Sequence, residues 1–210
     1  MMKNILCFGD SLTWGVNAAT GGRHPWNDRW TGVAQQHLGD GYRIIEEGLP
    51  GRTTVYDDPF SDHRNGRKVL PMLLESHAPL DLVVIQMGAN DLQVQRPTTA
   101  REVAMGLCSL QQMVITSRCG PTFEQPPQCL IVSPPPLPKT QGLMNVLFRD
   151  RNEVFAAIPN ELALSAATLE FPWIDAATLI ESDGPDGVHL SAESNRILGT
   201  AIAEKIAELL

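Results

Sequence analysis

The sequence is short of positive charge and has no long apolar run. Its 16 Lys and Arg against 24 Asp and Glu give a formal net charge of −8, which argues against a nucleic-acid surface because such a surface needs clustered positive charge. The first apolar run, residues 5–8, is shorter than the ~7–15 residues of a signal-peptide core. No run reaches the ~18 residues that span a bilayer. We therefore expect no nucleic-acid partner, no membrane partner and a cytoplasmic location.

Cysteine is also sparse, and its spacing is not that of a metal site. No two cysteines form a C-x-x-C pair and no histidine lies at a zinc spacing from them. Cys119 and Cys129 flank a Pro-rich loop and could meet, but a reducing compartment disfavours a disulfide there. The cysteine spacing predicts no zinc site.

Apolar residues make up 43% of the 210 residues and charged residues 19%, which is enough for a full core and excludes global disorder. We expect one domain over residues 1–210. Short apolar runs typical of buried strands alternate with helical patterns. This alternation predicts a three-layer α/β/α sandwich around a five-stranded parallel sheet. The predicted strands are residues 5–8, 42–46, 82–86, 129–132 and 173–175.

Helices are expected between and after these strands. Thr99 and Glu102 match a capping box, and apolar residues follow at helical spacing. A shorter helix is predicted over residues 70–76, because Pro71 is tolerated best in a first turn. Residues 145–167 look helical with a break at Pro159, and Ser191 is expected to cap the last helix. Residues 28–38 form the remaining predicted helix.

Candidate chemical residues follow the predicted strands, at the edge where open parallel sheets bind ligands. Ser11 lies in Gly-Asp-Ser-Leu after the first strand, where a tight turn exposes a hydroxyl and a backbone N–H. A helix N-cap explains this serine equally well. Asn90 lies in Gly-Ala-Asn-Asp after the third strand, and its amide suits it to holding an oxyanion, although an Asx-turn is the simpler interpretation. Gly51 follows the second strand and lets a backbone N–H approach a ligand.

A carboxylate and an imidazole precede the last helix. Asp186 lies three residues before His189 across a glycine, so the carboxylate can fold back onto the imidazole Nδ1 and leave Nε2 as a base. A lone histidine at this place is more often a surface residue. Complementary groups at four strand ends are much harder to explain by chance.

These blocks, in this order, resemble those of the SGNH or GDSL hydrolases, which are named for their Ser, Gly, Asn and His. The resemblance covers essentially the whole chain. The similarity is closer to the bacterial arylesterase/acyltransferase branch, of the mycobacterial acyltransferase type. Residues 6–15, 45–49 and 132–137 carry this closer similarity. The chain departs from the wider family at Glu46, where an asparagine is usual.

The resemblance implies a flavodoxin-like fold and a serine esterase without metal or cofactor. Ser11 would be the nucleophile, His189 the base and Asp186 its orienting partner. Ser11, Gly51 and Asn90 would form the oxyanion hole. Asp10 and Asp91 are interpreted as structural groups that form turns.

Two further expectations concern substrate and assembly. Trp14 follows Ser11 by three residues, so it is predicted to line a partly apolar site that favours acyl transfer to an alcohol or peroxide over water; simple packing is the alternative. Long loops carrying Trp26, Tyr56, Phe60 and Phe123 favour a homo-oligomer, and the similar branch includes octamers.

Other functions stay open at this point. A carbohydrate acetylesterase or a lysophospholipase-like enzyme of the same family would carry the same blocks, because specificity depends on loops. A flavodoxin-like flavin-binding protein has the same layers. That alternative gives no role to Asn90, Asp186 or His189.

Overall fold

A computed structural model describes residues 2–210. Five parallel strands form the central sheet in the order β4-β1-β5-β6-β7, which confirms the predicted parallel sheet. A short antiparallel pair, β2 and β3, forms a separate hairpin. The seven strands are β1 (Lys3–Gly9), β2 (Val16–Asn17), β3 (Gly22–Arg23), β4 (Tyr42–Gly48), β5 (Leu82–Gln86), β6 (Gln128–Val132) and β7 (Trp173–Ile174).

Helices cover both faces of the sheet and complete the three layers. The α-helices are α1 (Ser11–Trp14), α2 (Trp30–Leu38), α3 (Gly66–His77), α4 (Ala100–Ile115), α5 (Gly142–Phe148), α6 (Asn152–Leu169) and α7 (Ala192–Leu209). Short 3-10 helices are Trp26–Asp28, Gly39–Gly41, Ala89–Leu92 and Ala176–Thr178. Thr99 and Glu102 form the expected capping box of α4, and Ser191 caps α7 through the N–H of Ser194.

Two apolar cores lie on opposite faces of the sheet, because successive side chains of a strand point to opposite faces. Leu6 and Phe8 of β1 face α3, α4 and α6, whereas Ile5 and Cys7 face α2 and α7. All four side chains are fully buried. Burial on both faces explains why the strands read as continuous apolar runs.

Two helix predictions are wrong in detail, and both errors concern proline. Helix α3 begins at Gly66, so Pro71 lies in its interior and not in its first turn. The N–H groups of Gly66 and Arg67 donate to the carbonyls of Thr53 and Thr54, each at 2.9 Å, and these bonds to the preceding loop start the helix early.

The second error concerns the helical region near residue 150. Pro159 lies inside α6, and the break falls instead between α5 and α6. Asp150 there has a left-handed φ of 60°, which is incompatible with a continuing right-handed helix.

All four cysteines have free thiols, so Cys119 and Cys129 are not joined. Within residues 2–210 the structure contains no helix with the length and apolar character needed to cross a bilayer.

Candidate active site

The predicted site residues lie in loops that leave the carboxyl edge of the sheet. Ser11 follows β1, Gly51 follows β4 and Asn90 follows β5. Asp186 and His189 lie in the loop between β7 and α7. Because the strands are parallel, their carboxyl ends share one edge, so the topology brings these loops to the same side of the molecule.

Ser11 is the first residue of α1 and is not its N-cap. Asp10 holds the cap position, where its Oδ1 accepts the N–H of Leu12 at 3.0 Å. The alternative interpretation of Ser11 as a capping serine is therefore wrong, and its hydroxyl is not committed to the helix. Ser11 is 8% exposed, at the N-terminus of a one-turn helix.

Asp186 and His189 form a preorganised pair. Asp186 Oδ2 lies 2.6 Å from His189 Nδ1, and Oδ1 accepts the N–H groups of Val188 and His189 at 3.0 Å. Burial raises the pKa of Asp186, but the hydrogen bonds from His189 and Val188 outweigh it and lower the pKa from 3.8 to about 2. An ionised carboxylate needs a donor at Nδ1, so Nε2 is left free to accept a proton.

Asn90 is held in one orientation by its surroundings. Its Oδ1 accepts from Gln93 Nε2 at 3.1 Å, so its Nδ2 is the atom that faces the site. Nδ2 donates to the Arg52 carbonyl at 3.1 Å and lies 3.4 Å from Asp10 Oδ2. The side chain does not form an Asx-turn, and its two amide hydrogens are directed at the Arg52 carbonyl and at Asp10, the residue before Ser11.

Two backbone donors complete the candidate oxyanion hole. The N–H groups of Ser11 and Gly51 donate to no protein acceptor within residues 2–210. Gly51 has a left-handed φ of 80°, which glycine adopts without strain. Leu49, in the same turn, donates its N–H to the Gly9 carbonyl at 3.1 Å, and this bond fixes the Gly51 turn beside the Ser11 turn.

Two buried carboxyl groups flank the site. Burial raises the pKa of Asp10 from 3.8 to about 6; the Leu12 N–H and the charges of His189 and Arg52 limit the rise.

Asp91, beside Asn90, is also buried, and burial raises its pKa from 3.8 to about 7. It accepts the N–H of Thr54 at 3.0 Å and also the Thr54 hydroxyl. The expected turn-forming role therefore fits Asp10, which caps α1, but is wrong for Asp91. Asp91 instead joins the loop after β5 to the loop after β4.

Trp14 is half-buried and packs against an arginine. The Arg23 guanidinium carbon lies 5.0 Å from the Trp14 ring centroid, and Arg23 Nε donates to the Trp14 carbonyl at 2.5 Å. Glu46 binds Arg23 at 3.0 Å and Arg29 at 2.6 Å. The residue that departs from the family asparagine thus anchors the β2–β3 hairpin over Trp14.

A cavity of about 410 Å³ adjoins the Asp186 loop and is lined by Ala18, Gln141, Leu143 and Met144 among others. Of the candidate site residues it is lined by Asp186, and not by Ser11, Asn90 or His189. A second cavity, of about 450 Å³, lies between the C-terminal ends of α3 and α4, which is the side of the sheet away from Ser11.

The sequence did not reveal three groups that support the site: Arg52, Gln93 and the Arg23–Glu46 pair. Arg52 and Gln93 are 3% and 8% exposed, and buried polar side chains of this kind have no periodic signal. The Gly-Arg-Thr-Thr run that begins at Gly51 is the one pattern that could have drawn attention to Arg52.

Comparisons with known proteins agree with this geometry. Residues 7–197 match the GDSL-like lipase/acylhydrolase family. An aryl esterase from M. smegmatis is 39% identical with a TM-score of 0.94, and the match covers 99% of this chain and 100% of that one. A carbohydrate acetylesterase from Sinorhizobium meliloti is 42% identical with a TM-score of 0.93 over 99% and 100% of the two chains. A comparison with curated proteins gave no match.

Proposed function

Since the chain belongs to the GDSL-like lipase/acylhydrolase family and is a carboxylic ester hydrolase, we propose that it cleaves small acetyl and aryl esters through an acyl-enzyme on Ser11. The observation that carries the assignment is the 2.6 Å contact between Asp186 and His189 at the sheet edge that also presents Ser11. The similarity to a carbohydrate acetylesterase favours short acyl groups.

The proposed reaction has two halves. Ser11 Oγ attacks the ester carbonyl while His189 Nε2 takes the hydroxyl proton, and Asp186 stabilises the imidazolium. The carbonyl oxygen becomes an oxyanion that accepts hydrogen bonds from the N–H groups of Ser11 and Gly51 and from Asn90 Nδ2. The intermediate then collapses, and the leaving alcohol takes the proton from His189. Water attacks the acyl-enzyme in the same way, which releases the acid and restores Ser11.

We also propose that an alcohol or peroxide can replace water in the second half. Trp14 lies three residues after Ser11, and one face of its indole is covered by Arg23, so its ring is held in a fixed position. A fixed indole near the nucleophile would favour an organic acceptor over water. Trp14→Ala should then shift the product of vinyl acetate and a primary alcohol from ester towards acid, whereas an unchanged ratio would leave Trp14 a packing residue.

Carbohydrate acetylesterase activity is the second candidate. It is favoured by the 42% identity to the carbohydrate acetylesterase from Sinorhizobium meliloti. Both candidates use the same site and differ only in the alcohol that leaves. The four free thiols support a cytoplasmic location for either activity.

The chain is further proposed to form a homo-oligomer, of octamer size if it follows the similar branch. Phe60 is 88% exposed, and Leu143 and Val146 of α5 are 67% and 62% exposed. Phe60 lies in the segment after β4 and α5 lies in the segment after β6, and both segments leave the carboxyl edge of the sheet, as the Ser11 loop does. Exposed apolar side chains on this rim support an interface between copies of the chain, which would also narrow the entrance to the site.

Initial rates on a series of p-nitrophenyl esters of rising acyl length, together with an acetylated sugar, test the proposed substrates. We expect kcat/KM to be greatest for acetate and to fall as the acyl chain lengthens. A sugar acetate cleaved much faster than p-nitrophenyl acetate would favour the second candidate. A preference for long acyl chains would contradict both.

A further inference from the structure

Arg52 is a buried cation at the junction of two strands. Arg52 directly follows Gly51 in the chain, and the whole residue is 3% exposed. Nη1 donates to the carbonyl of Gly9 at 2.8 Å and also to the carbonyl of Glu47. The guanidinium carbon lies 4.3 Å from the ring centroid of Phe8. One side chain therefore ties the carboxyl end of β1 to that of β4.

The main chain of Arg52 binds the other two parts of the candidate oxyanion hole. Its N–H donates to the Leu49 carbonyl at 3.1 Å, which closes the turn that contains Gly51. Its carbonyl accepts Asn90 Nδ2 at 3.1 Å. Gly9, which the side chain binds, is two residues before Ser11. Arg52 is therefore linked to all three candidate donors. Gly51 is its neighbour in the chain, Asn90 binds its carbonyl, and Ser11 lies two residues after Gly9.

We propose that Arg52 is a positioning residue that sets the spacing of the three oxyanion donors, Ser11 N, Gly51 N and Asn90 Nδ2. This inference rests on the proposed function. Because Arg52 is buried, it does not touch substrate and acts only through the groups that it binds. Oxyanion donors act in the transition state, so the spacing that Arg52 fixes affects kcat more than KM.

An arginine is needed here for its shape and its charge. Burial lowers the pKa of Arg52 from 12.5 to about 10, while Glu47 and Asp10 hold the pKa up, so the group stays protonated at neutral pH. The positive charge of Arg64 also lowers the pKa of Arg52. A planar guanidinium can donate to two carbonyls and stack on Phe8 at the same time, whereas a lysine ammonium is a compact point charge on a flexible stem.

The test compares Arg52→Lys and Arg52→Met with the unaltered full chain on p-nitrophenyl acetate. A shift of donors by about 1 Å can cost about 10²-fold in rate, so we expect kcat to fall by about 10- to 10²-fold in both variants with KM little changed. Arg29→Lys is the control, since Arg29 is a half-buried arginine whose partner is Glu46 and not a group of the candidate oxyanion hole. It should lower the melting temperature and largely keep kcat.

A double-mutant cycle separates positioning from general destabilisation. In an Asn90→Ala background the cost of Arg52→Lys in kcat should be much smaller, because part of what Arg52 positions is already gone. Fully additive losses, or wild-type kcat in a folded Arg52→Lys chain, would overturn the inference. If Arg52→Met does not fold, the kcat of Arg52→Lys alone tests the inference. Normal turnover in Ser11→Ala would instead defeat the proposed function, whatever Arg52 does.

Discussion

Asp186 reaches His189 through four consecutive residues, so this pair is the part of the site that local sequence predicts best. The spacing Asp-Gly-Val-His suffices because Gly187 takes a φ of 73° and lets the carboxylate fold back onto the ring. Asn90 is different. Its orientation depends on Gln93 and on the Arg52 carbonyl, and the contact with Arg52 exists only after two strands pair with β1.

Asp186→Asn should lower kcat strongly and leave KM almost unchanged. An amide at this position can donate to Nδ1 and so favours the tautomer in which Nε2 carries the proton and cannot act as base. The corresponding substitution in the serine-protease triad costs about 10⁴-fold, and we expect a loss of similar order. Steady-state kinetics on p-nitrophenyl acetate measure it. A silent substitution would mean that another carboxylate orients His189.

Asp91 should make the protein less stable as the pH rises. Its pKa is about 7 in the folded protein against an ordinary 3.8, so the folded state binds the proton more tightly. The protonated carboxyl of Asp91 therefore stabilises the folded state relative to the ionised carboxylate. This contribution is complete below pH 4 and is lost as the pH rises through 7. Asp10, with a pKa of about 6, contributes in the same direction.

The variant Asp91→Asn isolates this effect, because it removes the titrating group and keeps one acceptor for Thr54. The free energy of unfolding in urea, measured at intervals from pH 4.5 to 8, should fall less in the variant than in the unaltered chain. Equal slopes would show that Asp91 does not titrate in this range.

At the scale of elements, glycine allows the Asp186 loop to lie against the loop after β6. A Cβ on Gly187 would lie 1.9 Å from the Lys139 carbonyl, and the N–H of Gln141 donates to the Asp186 carbonyl at 2.9 Å. The close approach at Gly187 and this hydrogen bond hold the Asp186 loop against the loop after β6. Neither could be predicted from the sequence, because they join segments nearly fifty residues apart.

Gly187→Ala should therefore lower both kcat and stability. The matched control is Gly21→Ala, because Gly21 has nearly the same φ, 72° against 73°, and a Cβ there would have no neighbour within 4 Å. Strain from the left-handed backbone costs roughly 1–2 kcal/mol at either position, so only the clash differs. Melting temperatures and kcat of the two variants give the comparison; similar kcat values would show that the loop contact is unimportant.

The elements also show where periodicity stops being informative. The stripe Val103, Leu107, Leu110 and Val114 predicts α4 correctly because all four residues are fully buried on one face. Pro71 and Pro159 mislead because helices α3 and α6 tolerate a missing hydrogen bond when packing against the sheet stabilises the rest.

At the scale of the whole molecule, the order of strands and helices was sufficient to predict the sheet. Five apolar runs separated by helical segments have few right-handed parallel arrangements. The sequence could not predict the cavity beside Asp186, because Ala18 comes from the β2–β3 hairpin and Gln141 and Leu143 come from the start of α5, far along the chain. Assembly is likewise beyond it, since the folded chain alone determines that Phe60, Leu143 and Val146 stay exposed.

Light scattering at micromolar concentration should give a mass several times the 23.0 kDa of one chain. Replacing Phe60, which is 88% exposed, by serine should weaken assembly without unfolding the chain. A monomer for the unaltered protein would contradict the proposed oligomer. A normal oligomer in Phe60→Ser would only move the interface elsewhere on the rim.

The most direct measurement of the central claim is the chemical identity of the acylated residue. The protein is mixed with p-nitrophenyl acetate, quenched in acid during the initial burst, digested and analysed by mass spectrometry. The account predicts one acetyl group per chain, on Ser11, and none in Ser11→Ala; Asp186→Asn should slow its appearance. An acetyl group on another residue, or ester hydrolysis at full rate in Ser11→Ala, would contradict it.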